Sequence, residues 1–242
     1  MFLVLHEKSI VSCKSLKYKK ALVGGSSGGI GKAIAQQLAE SGANVTLMSH
    51  SQEKLQNIVA NLPIDQGQEH QYLVVDFNDF HGYRNIITNY FEHNTIDILV
   101  NNTQGPSAGS ALEKKVGDYQ EAFDLLFKTV VFTTELALKN MIENNWGRII
   151  NVASVSVKEP LSYLALSNSI RAAVVTWAKS LATDVGKHHI TVNNVLTGYF
   201  DTDRIAQLNA KKAEQLGIEQ SEVLKEMESR VAVQRIGDPK EY

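Results

Sequence analysis

Six short runs of Val, Ile and Leu recur along this chain, each followed by a stretch with helical period, and that alternation leaves few folds open. The runs fall at residues 21–23, 45–48, 72–75, 96–100, 148–152 and 190–195. Between the first two, Ile30, Ala33, Ile34 and Leu38 mark one face of a helix over residues 30–41. Runs that are apolar on both faces suit a parallel sheet buried beneath helices. Alternating strands and helices with right-handed crossovers then give an α/β fold with a doubly wound parallel sheet in three α/β/α layers. A length of 242 residues fits one such domain. We expect it to occupy 17–242, with residues 1–16 as an extension of weak structural preference. A further helix is expected within 111–145, beginning near Asp118. The charged, periodic stretch 204–230 reads as a helical excursion above the sheet, with a solvated face.

Several partner classes are disfavoured before any motif is read. A formal net charge of −2 offers no basic surface for nucleic acid. The seven histidines form no metal-ligand pattern: His188 and His189 are adjacent, and His81 and His93 have no thiolate or histidine nearby. No apolar run is long enough to cross a bilayer, and the opening apolar residues give way at once to Glu7 and Lys8. The single cysteine, Cys13, rules out an internal disulfide and suits a reducing compartment, so the expected location is cytoplasmic.

The strongest motif is Ala21-Leu-Val-Gly-Gly-Ser-Ser-Gly-Gly-Ile-Gly31, which leaves the first strand and opens the first helix. A strand-to-helix turn aims backbone N–H groups and the positive helix end at a bound phosphate. Glycines are required where a Cβ would block the turn, the diphosphate or the helix–sheet contact. Gly25, Ser26, Ser27, Gly29, Ile30 and Gly31 are therefore expected to bind a dinucleotide. Gly24-Gly-Ser26-Ser-Gly28 also satisfies the nucleophile-elbow pattern of α/β hydrolases. That fold needs several strands and an oxyanion loop upstream, and only about twenty residues precede this turn. The second strand ends Met48-Ser49-His50-Ser51, with no carboxylate until Glu53. An acidic residue there would bond a ribose 2′-hydroxyl and repel a 2′-phosphate. NADP(H) is accordingly the preferred cofactor and NAD(H) the alternative, with Ser49 and His50 at the ribose.

Other motifs follow the later strands. Asp76-Phe77 ends the third, Asn101-Asn-Thr103 follows the fourth, Ser154 follows the fifth, and Thr197-Gly-Tyr-Phe-Asp-Thr202 follows the sixth. From about Lys20 onward this order and spacing resemble the short-chain dehydrogenase/reductases, particularly the 3-oxoacyl-acyl-carrier-protein reductase-like members. The resemblance implies a Rossmann-type sheet, a nicotinamide cofactor and hydride exchange between a carbonyl and an alcohol. By position it assigns Asp76 and Phe77 to the adenine. It assigns Asn101, Asn102 and Thr103 to the segment after the fourth strand, where a purely structural capping role competes. It assigns Gly198 and Thr202 to the nicotinamide amide and phosphates. It also implies a homodimer or homotetramer, a small carbonyl or alcohol substrate, and a helical lid over that substrate at about 204–230.

The same alignment departs from the family where the chemistry sits. Of the family's Ser, Tyr, Lys and Asn, only the serine persists, as Ser154. Ser167 stands where the Tyr is expected, Arg171 where the Lys is expected, and Leu126 where the Asn is expected; the permanent charge of Arg171 suits it to hold the cofactor ribose or the substrate oxyanion. An aliphatic hydroxyl is a far weaker acid than a phenol, and a guanidinium does not relay a proton at neutral pH. Tyr163 is the candidate replacement donor if it lies in a loop before the following helix, with a half-buried aromatic lining a pocket as its competing role; water is the other donor. The family also continues into one more helix and strand, so the sixth strand is expected either to be left at an exposed edge or to be covered by some other part of the protein. Two functions remain open: an NADP(H)-dependent ketone reductase, or a cofactor-binding module that has lost ordinary turnover.

Overall fold

The computed structural model describes residues 16–242; Cys13 and nearly all of the expected extension lie outside the described residues. The first half alternates as read: β1 (Lys20–Gly24), α1 (Gly29–Glu40), β2 (Asn44–Ser49), α2 (Gln52–Asn61), β3 (Gln71–Val74), α3 (Phe80–His93) and β4 (Ile98–Asn101). Then come α4 (Val116–Phe123), α5 (Thr129–Glu143), β5 (Gly147–Val152), α6 (Ala165–Val185) and β6 (Ile190–Val195). Two helices, α7 (Asp203–Leu216) and α8 (Gln220–Ser229), make up the excursion expected at 204–230.

All six strands are parallel, in the order β3-β2-β1-β4-β5-β6. Alternate side chains of one strand enter different cores. Leu22, Leu99 and Ile149 join the cluster on one face, while Val23, Val45 and Val100 join the other. Burial on both faces is why these strands read as continuous apolar runs rather than as alternating ones. Each such Leu or Ile contributes roughly 1.5–3 kcal/mol when withdrawn fully from water. Strand order reverses between β1 and β4, and ligands of open α/β sheets bind at that reversal, beyond the carboxyl ends of the strands.

The edge at β6 agrees with the sequence reading. Among the described residues β6 pairs with β5 alone. After α8 the chain returns antiparallel to no strand; Gly237 instead bridges to Phe200 in parallel register, and Tyr242 packs edge-on against the Phe200 ring.

Between α4 and α5 the helix widens into a π turn at Asp124–Lys128. Thr129 sustains it: its backbone N–H closes the wide turn on the Asp124 carbonyl, and its hydroxyl donates to the same carbonyl (2.9 Å) and to that of Leu125. Such turns mark places where helical regularity gives way to local shape. Here the turn carries Leu126, which is buried.

Candidate functional site

Loops from the carboxyl ends of β1, β4, β5 and β6 enclose a cleft of about 560 Å³. The glycine turn forms its floor. Gly25 and Gly29 adopt positive φ angles of 57° and 50°, which a side chain would strain. A Cβ on Gly31 would stand 2.2 Å from the Gly25 carbonyl oxygen. The turn is thus compressed onto the start of α1, and no side chain caps the first turn of that helix. Its N–H groups and positive end face the cleft, which is the donor set a diphosphate requires.

Not every serine of the motif takes part. Ser26, expected as a ligand, is fully buried; its hydroxyl reaches the Val23 carbonyl at 3.1 Å and accepts from the Met48 N–H at 2.9 Å. It pins the turn to β2 and has nothing left for a phosphate. Ser27 lines the cleft and accepts a 2.7 Å hydrogen bond from Ser49, which is itself buried. Ile30 lines the cleft beside them.

The adenosine-side candidates lie beyond this cleft. His50 and Asp76 are both exposed. One Asp76 carboxylate oxygen accepts from the Asn78 backbone (2.9 Å) and side-chain amide (3.1 Å). Phe77 is buried with its ring 5.3 Å from that of Tyr83, so it belongs to the core and not to an open adenine surface.

The two asparagines after β4 divide their labour. Asn101 is buried and donates to Asn151 Oδ1 (2.8 Å) and Thr134 Oγ1 (3.1 Å). Asn151 in turn donates to Asn194 Oδ1 at 3.0 Å. The three amides are aligned across β4, β5 and β6 by strand register. That ladder uses Asn101 structurally and corrects its assignment as a direct cofactor ligand; nothing in the strand periodicity announced it. Asn102 faces the cleft and ties the fourth loop to the first, its amide donating to the Gly24 carbonyl at 3.0 Å. Thr103, Gly198 and Thr202 also line the cleft, and Thr202 caps α7 through the Ile205 N–H at 3.3 Å.

At the other end stand three hydrogen-bonding groups. Ser154 accepts from the Ser156 N–H at 3.2 Å, which leaves its own O–H proton to donate. Ser167 accepts from Arg171 Nε at 3.2 Å and likewise keeps its proton available. Arg171 further donates from Nη1 to the Val152 carbonyl at 2.7 Å. Burial, reinforced by the charge of Arg204, draws the Arg171 guanidinium down to about 10, so it remains a cation at neutral pH. Behind it lies a cavity of about 10 Å³ walled partly by Leu126, which brings no polar atom to Arg171.

Tyr163 does lie in a turn before α6, where it was to serve as a donor. Its backbone is held by Gly109, whose N–H bonds its carbonyl at 2.7 Å. Its side chain, however, lines two neighbouring cavities bounded by α7 and α8, of about 580 and 330 Å³, and not the cleft of Ser154. Burial also raises its phenol above the ordinary value. Its placement fits a half-buried aromatic lining a pocket, the competing reading, and sets it apart from the Ser154 cleft where a proton donor was sought. Sequence reading missed a different group: Arg204, assigned to a solvated face, is half-buried in the cleft and donates to the Pro106 carbonyl at 2.6 Å.

Comparison with known proteins agrees with this geometry. The family model described as short chain dehydrogenase matches residues 19–213. The 3-oxoacyl-[acyl-carrier-protein] reductase FabG of Rickettsia conorii is 32% identical over 196 residues, covering 81% of this chain and 78% of its own. Its counterpart from Chlamydia pneumoniae is 30% identical over 192 residues, covering 79% and 77%. Among solved structures, L-sorbose reductase from Gluconobacter frateurii, complexed with NADPH and L-sorbose, is similar with a TM-score of 0.85 at 26% identity, covering 94% of this chain and 88% of that one. A 3-oxoacyl (acyl-carrier-protein) reductase from Agrobacterium tumefaciens C58 with NADP bound has a TM-score of 0.83 at 26% identity, covering 99% and 90%.

Proposed function

Because the chain belongs to the short-chain dehydrogenase/reductase family, we propose that it is an NADP(H)-dependent oxidoreductase that interconverts a ketone and a secondary alcohol. The observation that carries this reading is the uncapped start of α1 above a glycine turn that admits no Cβ at Gly31, opening on the same cleft as Ser154. The residues present fit a pyridine nucleotide: Gly25, Ser27, Gly29 and Gly31 would hold the diphosphate, with Asn102, Gly198 and Thr202 toward the nicotinamide. When bound, that group supplies or accepts a hydride. The absence of a carboxylate at the end of β2 favours NADP(H), as does the NADP or NADPH bound in related reductases.

This chain's own residues act on the carbonyl oxygen. The hydroxyls of Ser154 and Ser167 and the remaining N–H groups of Arg171 line one cleft as donors, a set suited to stabilising an alkoxide. None of them is an acid near neutral pH. The proton that completes the alcohol therefore comes from water, and turnover is slow, since a positioned general acid contributes about 10²–10⁴-fold.

The replaced Tyr and Lys favour a second reading, a module that binds the cofactor without turning over. A single assay separates the two. Oxidation of NADPH against short ketones and 3-oxoacyl thioesters is expected for the unaltered protein, and Tyr163→Phe should leave the rate unchanged. Tight NADPH binding with no oxidation against any of these substrates would establish the binding module instead.

A further inference from the structure

We propose that Arg171 and Arg204 together form an anion seat at the substrate end of the cleft, so that the ketone taken here carries a carboxylate or a similarly compact anion. The proposal rests on reading the cleft as a carbonyl-reducing site, and names the class of substrate that fits it.

Both guanidiniums are half-buried and line the same cleft. Neither forms an ion pair among the described residues, and the one carboxylate that lines the cleft with them, Asp203, stands beyond ion-pair distance of both. Each is anchored by neutral acceptors: Arg171 by Ser167 Oγ and the Val152 carbonyl, Arg204 by the Pro106 carbonyl. A guanidinium carries five N–H donors. Two are spent on Arg171 and one on Arg204, so three and four remain. The two cations also act on one another. Burial and then the charge of Arg204 lower the Arg171 pKa, and burial lowers that of Arg204. Like charges lining one partly dry cleft are unfavourable until a counter-charge arrives. A carboxylate between them would cancel the repulsion and accept from both planar forks.

The seat is distinct from that of the cofactor diphosphate. The start of α1 supplies the latter, where Thr202 Cγ2 would lie 3.1 Å from a Cβ on Gly29. Arg171 is fixed instead to Val152, two residues before Ser154, and Arg204 to the loop after β4. Leu164, Phe200 and Leu208 line the same cleft, so a short apolar chain can accompany the anion.

Calorimetric titration of the NADP⁺-saturated protein tests this without turnover, using acetoacetate and its methyl ester as probes. Acetoacetate should bind at least about tenfold more tightly than the ester, as a charge-assisted pair of contacts predicts. Arg204→Gln should remove that preference, Arg204→Lys should keep part of it, and the Kd for NADP⁺ should change less than about twofold. Equal binding of acid and ester by the unaltered protein would overturn the proposal, whatever the variants do. So would an Arg204→Gln variant that loses NADP⁺ as much as acetoacetate, since the arginine would then serve the cofactor phosphates. Failure of NADP⁺ itself to bind would instead bring down the cofactor reading. The acid–ester comparison on the cofactor-free protein would then still decide for or against the seat.

Discussion

Arg171 reaches back one turn of α6 and donates Nε–H to the Ser167 hydroxyl at 3.2 Å. By its sequence resemblance the pair is assigned to the positions where the family places its lysine and tyrosine, and the proposed function builds on that assignment. The exchange turns an acid–base couple into a pair of fixed hydrogen-bond donors, and the functional expectations follow from that change.

Restoring the couple should restore proton transfer. The double variant Ser167→Tyr/Arg171→Lys puts a phenol and an amine into the same cleft wall. We expect NADPH-dependent ketone reduction to rise by about 10²–10⁴-fold, measured as kcat, the range that general acid catalysis contributes. No rise in a folded, NADPH-binding variant would mean that the wall is not where the carbonyl lies.

Ser154 should matter through the oxyanion. Its hydroxyl accepts from the Ser156 N–H through a lone pair, a bond that does not use the O–H proton. Ser154→Ala is expected to lower kcat by about 10²–10³-fold, the cost of removing one oxyanion donor. NADPH affinity should hold.

The pH profile distinguishes a water-fed site from one with an internal acid. Among the described residues no Tyr, Lys or His lines the cleft, and burial brings the Arg171 guanidinium down to about 10. Its cation is fully present well below that value and is lost as pH rises through it. Steady-state kcat should therefore be level between about pH 6 and 9, then fall as the guanidinium deprotonates. A break near neutrality would reveal an acid elsewhere.

Gly31→Ala tests the compressed turn. The added methyl would meet the Gly25 carbonyl oxygen at 2.2 Å, a backbone atom that cannot swing aside. Overpacking of this kind costs about 1–3 kcal/mol. Chemical denaturation should register that loss, accompanied by markedly weaker NADPH binding.

Much of the fold was legible because it depends on local pattern. Both-face burial shows in the sequence as Val-rich runs, and each strand lies within two residues of its expected bounds. The glycine turn was equally readable, since its positive φ angles and close contacts exclude other residues. What escaped was set by distant parts of the chain. The amide ladder exists only because strand register aligns Asn101, Asn151 and Asn194, although an asparagine near the end of three successive strands was a usable hint. Arg204 looked solvated amid mixed charges; it is the loop around Pro106, nearly a hundred residues earlier, that covers it. Ser26 belongs with them, since its partner Met48 lies on the neighbouring strand.

Both readings of the cleft require the head of α1 to bind a pyridine nucleotide. Titration of the unaltered protein with NADPH, followed by nicotinamide fluorescence, decides it. Saturable binding with a Kd in the micromolar range or below, tighter for NADPH than for NADH, is the predicted result. A protein whose addition leaves the fluorescence of both nucleotides unchanged would contradict it.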